Sequence, residues 1–303
     1  MRCFSAYRIS GNRTGMPQTI YLTGATGTGL RCDIRPDLGG CVAGFWLGDE
    51  AVLRSAPGDG LRDVRGSANF PLLPYSNRMG QRTLNWRGER HALRANFDGN
   101  PHSLHGNGWQ RAWTVTAHSA SRVVLTMAHT PDSDWPFAFE CIQTIAIDKG
   151  ALRLTLAFTN RAATPAPAGL GWHPYIARRP GARLAFKASA RWDTGADELP
   201  VHQVPVDGLD AACDELALNH CFDGWSGTAQ VSDGVMQVEV ASDLPRLLVS
   251  TPAGKDFLAV EPVSHVPDAF NQGESGALAR GMLVLGPGES MSAWMTVRPR
   301  LRG

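Results

Sequence analysis

Residues 151–160 read Ala151-Leu152-Arg153-Leu154-Thr155-Leu156-Ala157-Phe158-Thr159-Asn160. Leu152, Leu154, Leu156 and Phe158 are apolar, while Arg153, Thr155 and Thr159 are polar. Successive side chains of a strand point to opposite faces, so a spacing of two is the signature of a strand buried on one side only. The same period recurs elsewhere in the chain. Met236, Val238 and Val240 alternate with Gln237 and Glu239, and Ala293, Met295 and Val297 alternate with Ser292, Thr296 and Arg298. Further strand-like runs lie at Ile20–Leu22, Val123–Met127, Phe139–Ile147, Leu247–Ser250 and Phe257–Val260, with 33 glycines and 20 prolines to supply the turns. The one helical candidate is Leu209–Ala217. Many short strands without a βαβ alternation predict an all-β sandwich or barrel and exclude a doubly wound sheet.

The 303 residues are 43% hydrophobic, enough for a substantial core, and no internal repeat or low-complexity linker divides them. One β domain over residues 18–303 is expected, preceded by a loose leader at 1–17 that carries Arg2, Arg8 and Arg13. Lys and Arg number 29 against 28 Asp and Glu, a formal net charge of +1. Nucleic acid or an anionic membrane surface would call for a basic excess, so neither is expected as a partner. Six cysteines, Cys3, Cys32, Cys41, Cys141, Cys213 and Cys221, form no Cys-x-x-Cys pair and read as reduced and mostly buried. No signal-peptide-like or membrane-spanning apolar run is present, and the expectation is a soluble cytoplasmic protein.

Four stretches carry the residue types of a reactive site. In Phe70-Pro71-Leu72-Leu73-Pro74-Tyr75-Ser76-Asn77-Arg78-Met79-Gly80, the amide of Asn77 and the guanidinium of Arg78 suit hydroxyls or a carboxylate. In Pro101-His102-Ser103-Leu104-His105-Gly106-Asn107-Gly108-Trp109, glycines let backbone approach a ligand, and two histidines three apart raise the question of a metal. Positions three apart on extended chain face opposite ways, which favours one useful histidine over a metal pair. In Gly171-Trp172-His173-Pro174-Tyr175, Pro174 biases the preceding residue towards extended geometry and so fixes the direction of His173. In Leu258-Ala259-Val260-Glu261-Pro262-Val263-Ser264-His265, an apolar strand ends in a glutamate. Desolvation there would raise its pKa and make it a better base.

Together with Asn219-His220-Cys221-Phe222 and Gly224-Trp225, these motifs, in this order from about Ile20 to Val297, resemble the aldose 1-epimerase family, the galactose mutarotase-like proteins. The resemblance implies a large antiparallel β-sandwich, the galactose mutarotase-like supersandwich, with an open sugar cleft. It also implies interconversion of the α and β anomers of a free aldose by ring opening and reclosure. It assigns the general base to Glu261, the acid that protonates the ring oxygen to His173, and sugar binding and polarisation to His105 and Arg78; Asn219, and Asn77 by its own amide chemistry, are expected as further hydroxyl contacts. No metal or organic cofactor is implied, and the protein is expected as a monomer or homodimer. One departure concerns Asn219, where many family members carry an aspartate; asparagine keeps an acceptor but loses the charge, which bears on the sugar preferred. Asp223 is either a compensating carboxylate or a turn residue. Trp109, Trp172, Tyr175 and Trp225 are candidates for stacking on a sugar or for the core.

The chemistry suits these residue types independently. Opening a hemiacetal takes a proton from O1 while another reaches O5, and a glutamate and a histidine, with reference pKa values of about 4.3 and 6.5, can exchange those roles near neutrality if the site lifts the carboxylate. Two other readings compete. A non-catalytic carbohydrate-binding or sugar-sensing protein would keep the cleft without needing an acid–base pair. An epimerase of a phosphorylated hexose would need a cationic cluster, which Arg78, Arg82 and Arg87 do not form persuasively. A metal enzyme built on His102, His105 and His173 is a remote fourth.

Overall fold

In the computed structural model, which describes residues 19–302, Ala151–Asn160 is a strand with the boundaries that its alternation predicts. It pairs with Phe139–Asp148 on one side and Ser290–Leu301 on the other, so that Leu154 lies opposite Met295 and Leu152 opposite Val297. These strands form the middle of a nine-stranded sheet. Its order is Thr114–His118, Arg122–His129, Phe139–Asp148, Ala151–Asn160, Ser290–Leu301, Met236–Ser242, Thr228–Ser232, Arg183–Phe186 and Leu209–Ala212.

A second sheet runs Pro200–Pro205, Ala190–Thr194, Asn219–Asp223, Arg246–Ser250, Phe257–Val263, Gly171–Trp172 and Pro71–Leu72, with Tyr175–Ala177 as a further partner of Phe257–Val263. Every strand pair in both sheets is antiparallel. Leu152, Leu154, Leu156, Val240 and Val297 of the first sheet and Leu247, Val249, Leu258 and Val260 of the second belong to one continuous apolar cluster. Of the sandwich or barrel that the alternation allows, the observed architecture is the large antiparallel β-sandwich that the resemblance implies. Leu154 is fully buried in that cluster. Leu154→Ala is expected to cost about 2–5 kcal/mol of stability, read from urea unfolding, because the neighbouring strands cannot collapse into the space it leaves.

The helical expectation at Leu209–Ala217 is corrected. Leu209–Ala212 is an edge strand against Arg183–Phe186, and Cys213–Glu215 is a single 3-10 turn. Gly208, at φ +74°, turns the chain back, and pairing with the neighbouring edge satisfies backbone groups that too short a helix would leave open. The one α-helix among the described residues is Gly273–Ala279, which the period-two reading did not anticipate. Cys32, Cys41, Cys141, Cys213 and Cys221 are buried free thiols, as read from the sequence. Cys3 and the leader at 1–17 lie outside the described residues. Among those residues, no helix is long and apolar enough to cross a membrane.

The second sheet positions the site. In Phe257–Val263 the side chains of Leu258 and Val260 enter the core, whereas Phe257, Ala259 and Glu261 line a cleft on the other face. Arg246–Ser250 divides the same way, with Leu247 and Val249 inward and Leu248 and Ser250 in the cleft. Glu261 does not end its strand, as the sequence suggested; the strand continues through Pro262 to Val263. Its neighbour is what breaks. Gly171 pairs with Val263 and Tyr175 with Ala259, leaving His173 and Pro174 without ladder partners in register beside Glu261. Pro174 and Pro262 have no N–H to give, so the pairing between these two segments is interrupted where the side chains of His173 and Glu261 come together.

Candidate active site

The cleft has a volume of about 420 Å³, a size suited to a small molecule. Asn77, Arg78, His105, His173, Asn219 and Glu261, the six residues singled out in the sequence, all line it. At its floor, His173 Nε2 lies 3.3 Å from Glu261 Oε1. Glu261 is 1% exposed and His173 9%. Glu261 Oε2 and His173 Nδ1 are buried without a protein partner. Two groups that ordinarily find partners when buried thus keep one polar atom each free of protein contacts and available within the cleft.

His105 is held by a reciprocal contact with Asn77. The Asn77 N–H donates to His105 Nδ1 at 3.1 Å, and the His105 N–H donates to the Asn77 carbonyl at 2.8 Å. Since Nδ1 accepts, the ring carries its proton on Nε2, the nitrogen left without a protein partner. Both residues sit at positive φ, +55° for Asn77 and +63° for His105. Non-glycine residues rarely adopt that backbone, and such strain concentrates at functional sites. The Asn77 side chain turns on its neighbour, its Oδ1 accepting from the Arg78 N–H at 2.9 Å and from Arg78 Nη1 at 3.1 Å. Beyond His105 the chain crosses close to Leu73. A Cβ on Gly106, at φ +66°, would lie 2.0 Å from the Leu73 carbonyl oxygen. Gly106→Ala is expected to lower stability by at least about 2 kcal/mol, measured by thermal unfolding, and to misplace His105.

His102 does not join His105. Its Nδ1 accepts from the Gln81 N–H at 3.0 Å, and its Nε2 donates to the Asp197 carbonyl at 2.8 Å. Facing away from the cleft, as extended geometry predicts, it ties two loops together. His265 is likewise structural: Nε2 accepts from the Ser76 N–H at 2.9 Å and Nδ1 donates to the Val266 carbonyl at 2.8 Å, which pins the loop carrying Asn77 and Arg78. Asp223 accepts from the indole of Trp192 at 2.6 Å and from Gln203, and it is not part of the cleft lining. Of the four aromatics considered for stacking, Trp172 and Trp225 are core, whereas Trp109 and Tyr175 line the cleft. Sequence reading missed Phe257, Leu248 and Ser250, whose place follows from the strand alternation once the buried face is known. It also missed Arg65, Phe97 and Asn100 at the cleft wall.

The electrostatics follow from burial. Removal from water pushes the Glu261 carboxyl well above the usual carboxylate range, opposed by the nearby Arg78 guanidinium. The same desolvation, with His105 and Arg54 adding to it, pulls His173 well below the usual imidazole range. His105 is brought down to about 3 by burial first and Arg78 second. Burial disfavours the charged form of both groups, so the pair leans towards a proton on Glu261 beside a neutral His173. Over the 3.3 Å contact that proton can reside on either partner.

The family model for aldose 1-epimerase matches residues 23–298. The chain belongs to the aldose 1-epimerase family. It is 30% identical over 287 residues to the uncharacterized protein YphB of Escherichia coli (strain K12), covering 89% of this chain and 95% of that one. A crystal structure of an Escherichia coli K12 protein provisionally named an aldose 1-epimerase superposes with a TM-score of 0.83 at 26% identity, covering 94% of this chain and 99% of that one. The galactose 1-epimerase from Lactobacillus acidophilus NCFM shares the fold, with a TM-score of 0.76 at 16% identity over 97% of this chain and 98% of that chain. This aldose 1-epimerase family member thus has the galactose mutarotase-like fold that its motifs imply, with the cleft placed on the outer face of the second sheet.

Proposed function

We propose that this protein is a cofactor-independent aldose 1-epimerase that interconverts the α and β anomers of a free aldose. The observation that carries the reading is the Glu261–His173 pair, 3.3 Å apart and nearly excluded from water at the floor of a sugar-sized cleft. The two oxygens that must lose and gain protons, O1 and O5, are bonded to the same carbon, so an acid and a base in contact can serve both. In the reactive tautomer Glu261 is a carboxylate and His173 an imidazolium. Glu261 takes the O1 proton, His173 gives its proton to O5, and the C1–O5 bond breaks to give the open-chain aldehyde with a hydroxyl at C5. Rotation about C1–C2 and the reverse transfers deliver the other anomer.

Proton count and charge close at every step. Ring opening converts the charged tautomer into protonated Glu261 and neutral His173, the form that burial favours. Arg78 biases Glu261 towards the carboxylate that starts the reaction. His105 Nε2–H is a donor for a sugar oxygen, and Trp109 and Tyr175 give the cleft aromatic wall against which the apolar side of a pyranose can pack. Arg78 and Asn219 supply donors for hydroxyls.

Exchange spectroscopy by NMR on equilibrated D-glucose or D-galactose tests this reading. The protein is expected to bring up cross-peaks between the α and β anomeric protons that are absent without it. Sugar-induced quenching of tryptophan fluorescence with no exchange cross-peaks would point instead to a binding or sensing protein.

A further inference from the structure

The turn joining Ala190–Thr194 to Pro200–Pro205 touches residues of the cleft lining in a way that neither the sequence motifs nor the pair at its floor requires. Glu198, at its tip, places Oε2 at 2.7 Å from Arg78 Nη2, while Asn219 Nδ2 approaches Oε1 at 3.4 Å. One carboxylate thereby bridges two residues that line the cleft from different strands. The turn is built for this. Glu198 sits at φ +61°, a strained backbone for a residue with a Cβ, and its N–H donates to the Gly195 carbonyl at 2.9 Å. The preceding residue, Asp197, is pinned through its carbonyl to buried His102 at 2.8 Å.

The charges in the cleft give this contact a consequence. Arg78 and Arg65 are the two cations that line it. Arg65 is paired with Asp63 at 2.7 Å, and Arg78 with Glu198. Without Glu198 the guanidinium of Arg78, whose side chain is only 12% exposed, would face the cleft with an unpaired charge and donors in the planar fork that suits carboxylate and phosphate. Asn219, being neutral, supplies no substitute.

We propose that Glu198 is a specificity-determining residue: by neutralising and orienting Arg78 it sets the cleft for neutral aldoses and against sugars that carry a carboxylate or phosphate. It rests on the proposed epimerase reading for the identity of the ligand, and it assigns Glu198 no part in proton transfer. Glu198→Gln removes the charge with little change of shape, and Glu198→Asp restores a carboxylate on a shorter arm.

The test compares D-glucose with D-glucuronate and D-glucose 6-phosphate, by the rate of anomer exchange and, separately, by affinity from quenching of tryptophan fluorescence. In Glu198→Gln the preference for either anion over glucose is expected to rise about tenfold, the worth of one charge-assisted hydrogen bond. That gain should shrink as salt is raised, and Glu198→Asp should restore most of the parent's discrimination. An unchanged ratio for both anions, or an equal loss for charged and neutral sugars, would overturn the proposal. A parent protein that binds these sugars without exchanging anomers would contradict the epimerase reading instead, while the affinity ratio would still decide the role of Glu198.

Discussion

Glu261→Gln is expected to slow anomer exchange by about 10²–10⁴-fold at neutral pH while leaving sugar binding largely in place, since glutamine keeps the shape and the polar contacts but cannot take the O1 proton. The same variant is expected to be more stable than the parent at neutral and alkaline pH. Burial raises the folded-state pKa of Glu261 well above its ordinary 4.5. A raised carboxyl contributes its full share of stability below the unfolded value and loses it as pH rises towards the folded one, because ionising a group sealed from water is costly. Glutamine has no such loss. The melting temperatures of parent and variant should therefore differ little in their pH-dependent part near pH 4.5, and the gap should open in favour of the variant as pH rises. A buried group that weakens the fold near neutrality is the pattern expected if Glu261 has the proposed role, since such sites trade stability for chemistry.

His173→Ala carries the second large effect. On the proposed mechanism it removes the proton donor to O5, with a loss of about 10²–10⁴-fold in rate, and Glu261 alone cannot make it good. Its signature in stability has the opposite sign. A histidine whose folded pKa is depressed leaves the unfolded chain binding more protons below about pH 6.5, so stability is present above that pH and lost as pH falls towards the folded value. His105 and His265, the latter brought down to about 4 by burial, act in the same direction. Removing His173 should therefore flatten the acid limb of the stability profile by up to about 1.4 kcal/mol per pH unit, one proton's worth, and leave the remainder to the other depressed histidines, His105, His265 and His220. Chemical unfolding at pH 6.5, 5.5 and 4.5 reads this directly. The cavity left by the ring lowers stability at all pH values alike and does not imitate a change of slope.

What the sequence revealed, and what it hid, has a physical pattern. Strands with one face in the core and one in water, such as Ala151–Asn160 and Met236–Ser242, announce themselves by alternation. Phe257–Val263 does not, since one face meets the core and the other a protected cleft, and both select apolar residues. The wrongly read helix at Leu209–Ala217 lies on a sheet edge, where the partner strand rather than local propensity sets the conformation.

The site was legible as far as residue type and motif order reach: His105, His173, Glu261 and Arg78 do converge. Single side chains could not reveal which neighbours hold them. His102 and His265 are chemically as able as His173, and only the backbone groups on both of their nitrogens mark them as struts. Glu198 lies 120 residues from Arg78 in a turn with no motif, and the contact exists only because two distant hairpins close on one cleft.

The most direct test of the Glu261–His173 pair is polarimetry on freshly dissolved α-D-glucose and α-D-galactose at low buffer concentration, with and without the protein. The account predicts a decay of optical rotation whose first-order rate rises in proportion to protein concentration and falls to near the buffer rate with Glu261→Gln. A decay no faster than buffer for every aldose tried, or a Glu261→Gln variant as active as the parent, would contradict it.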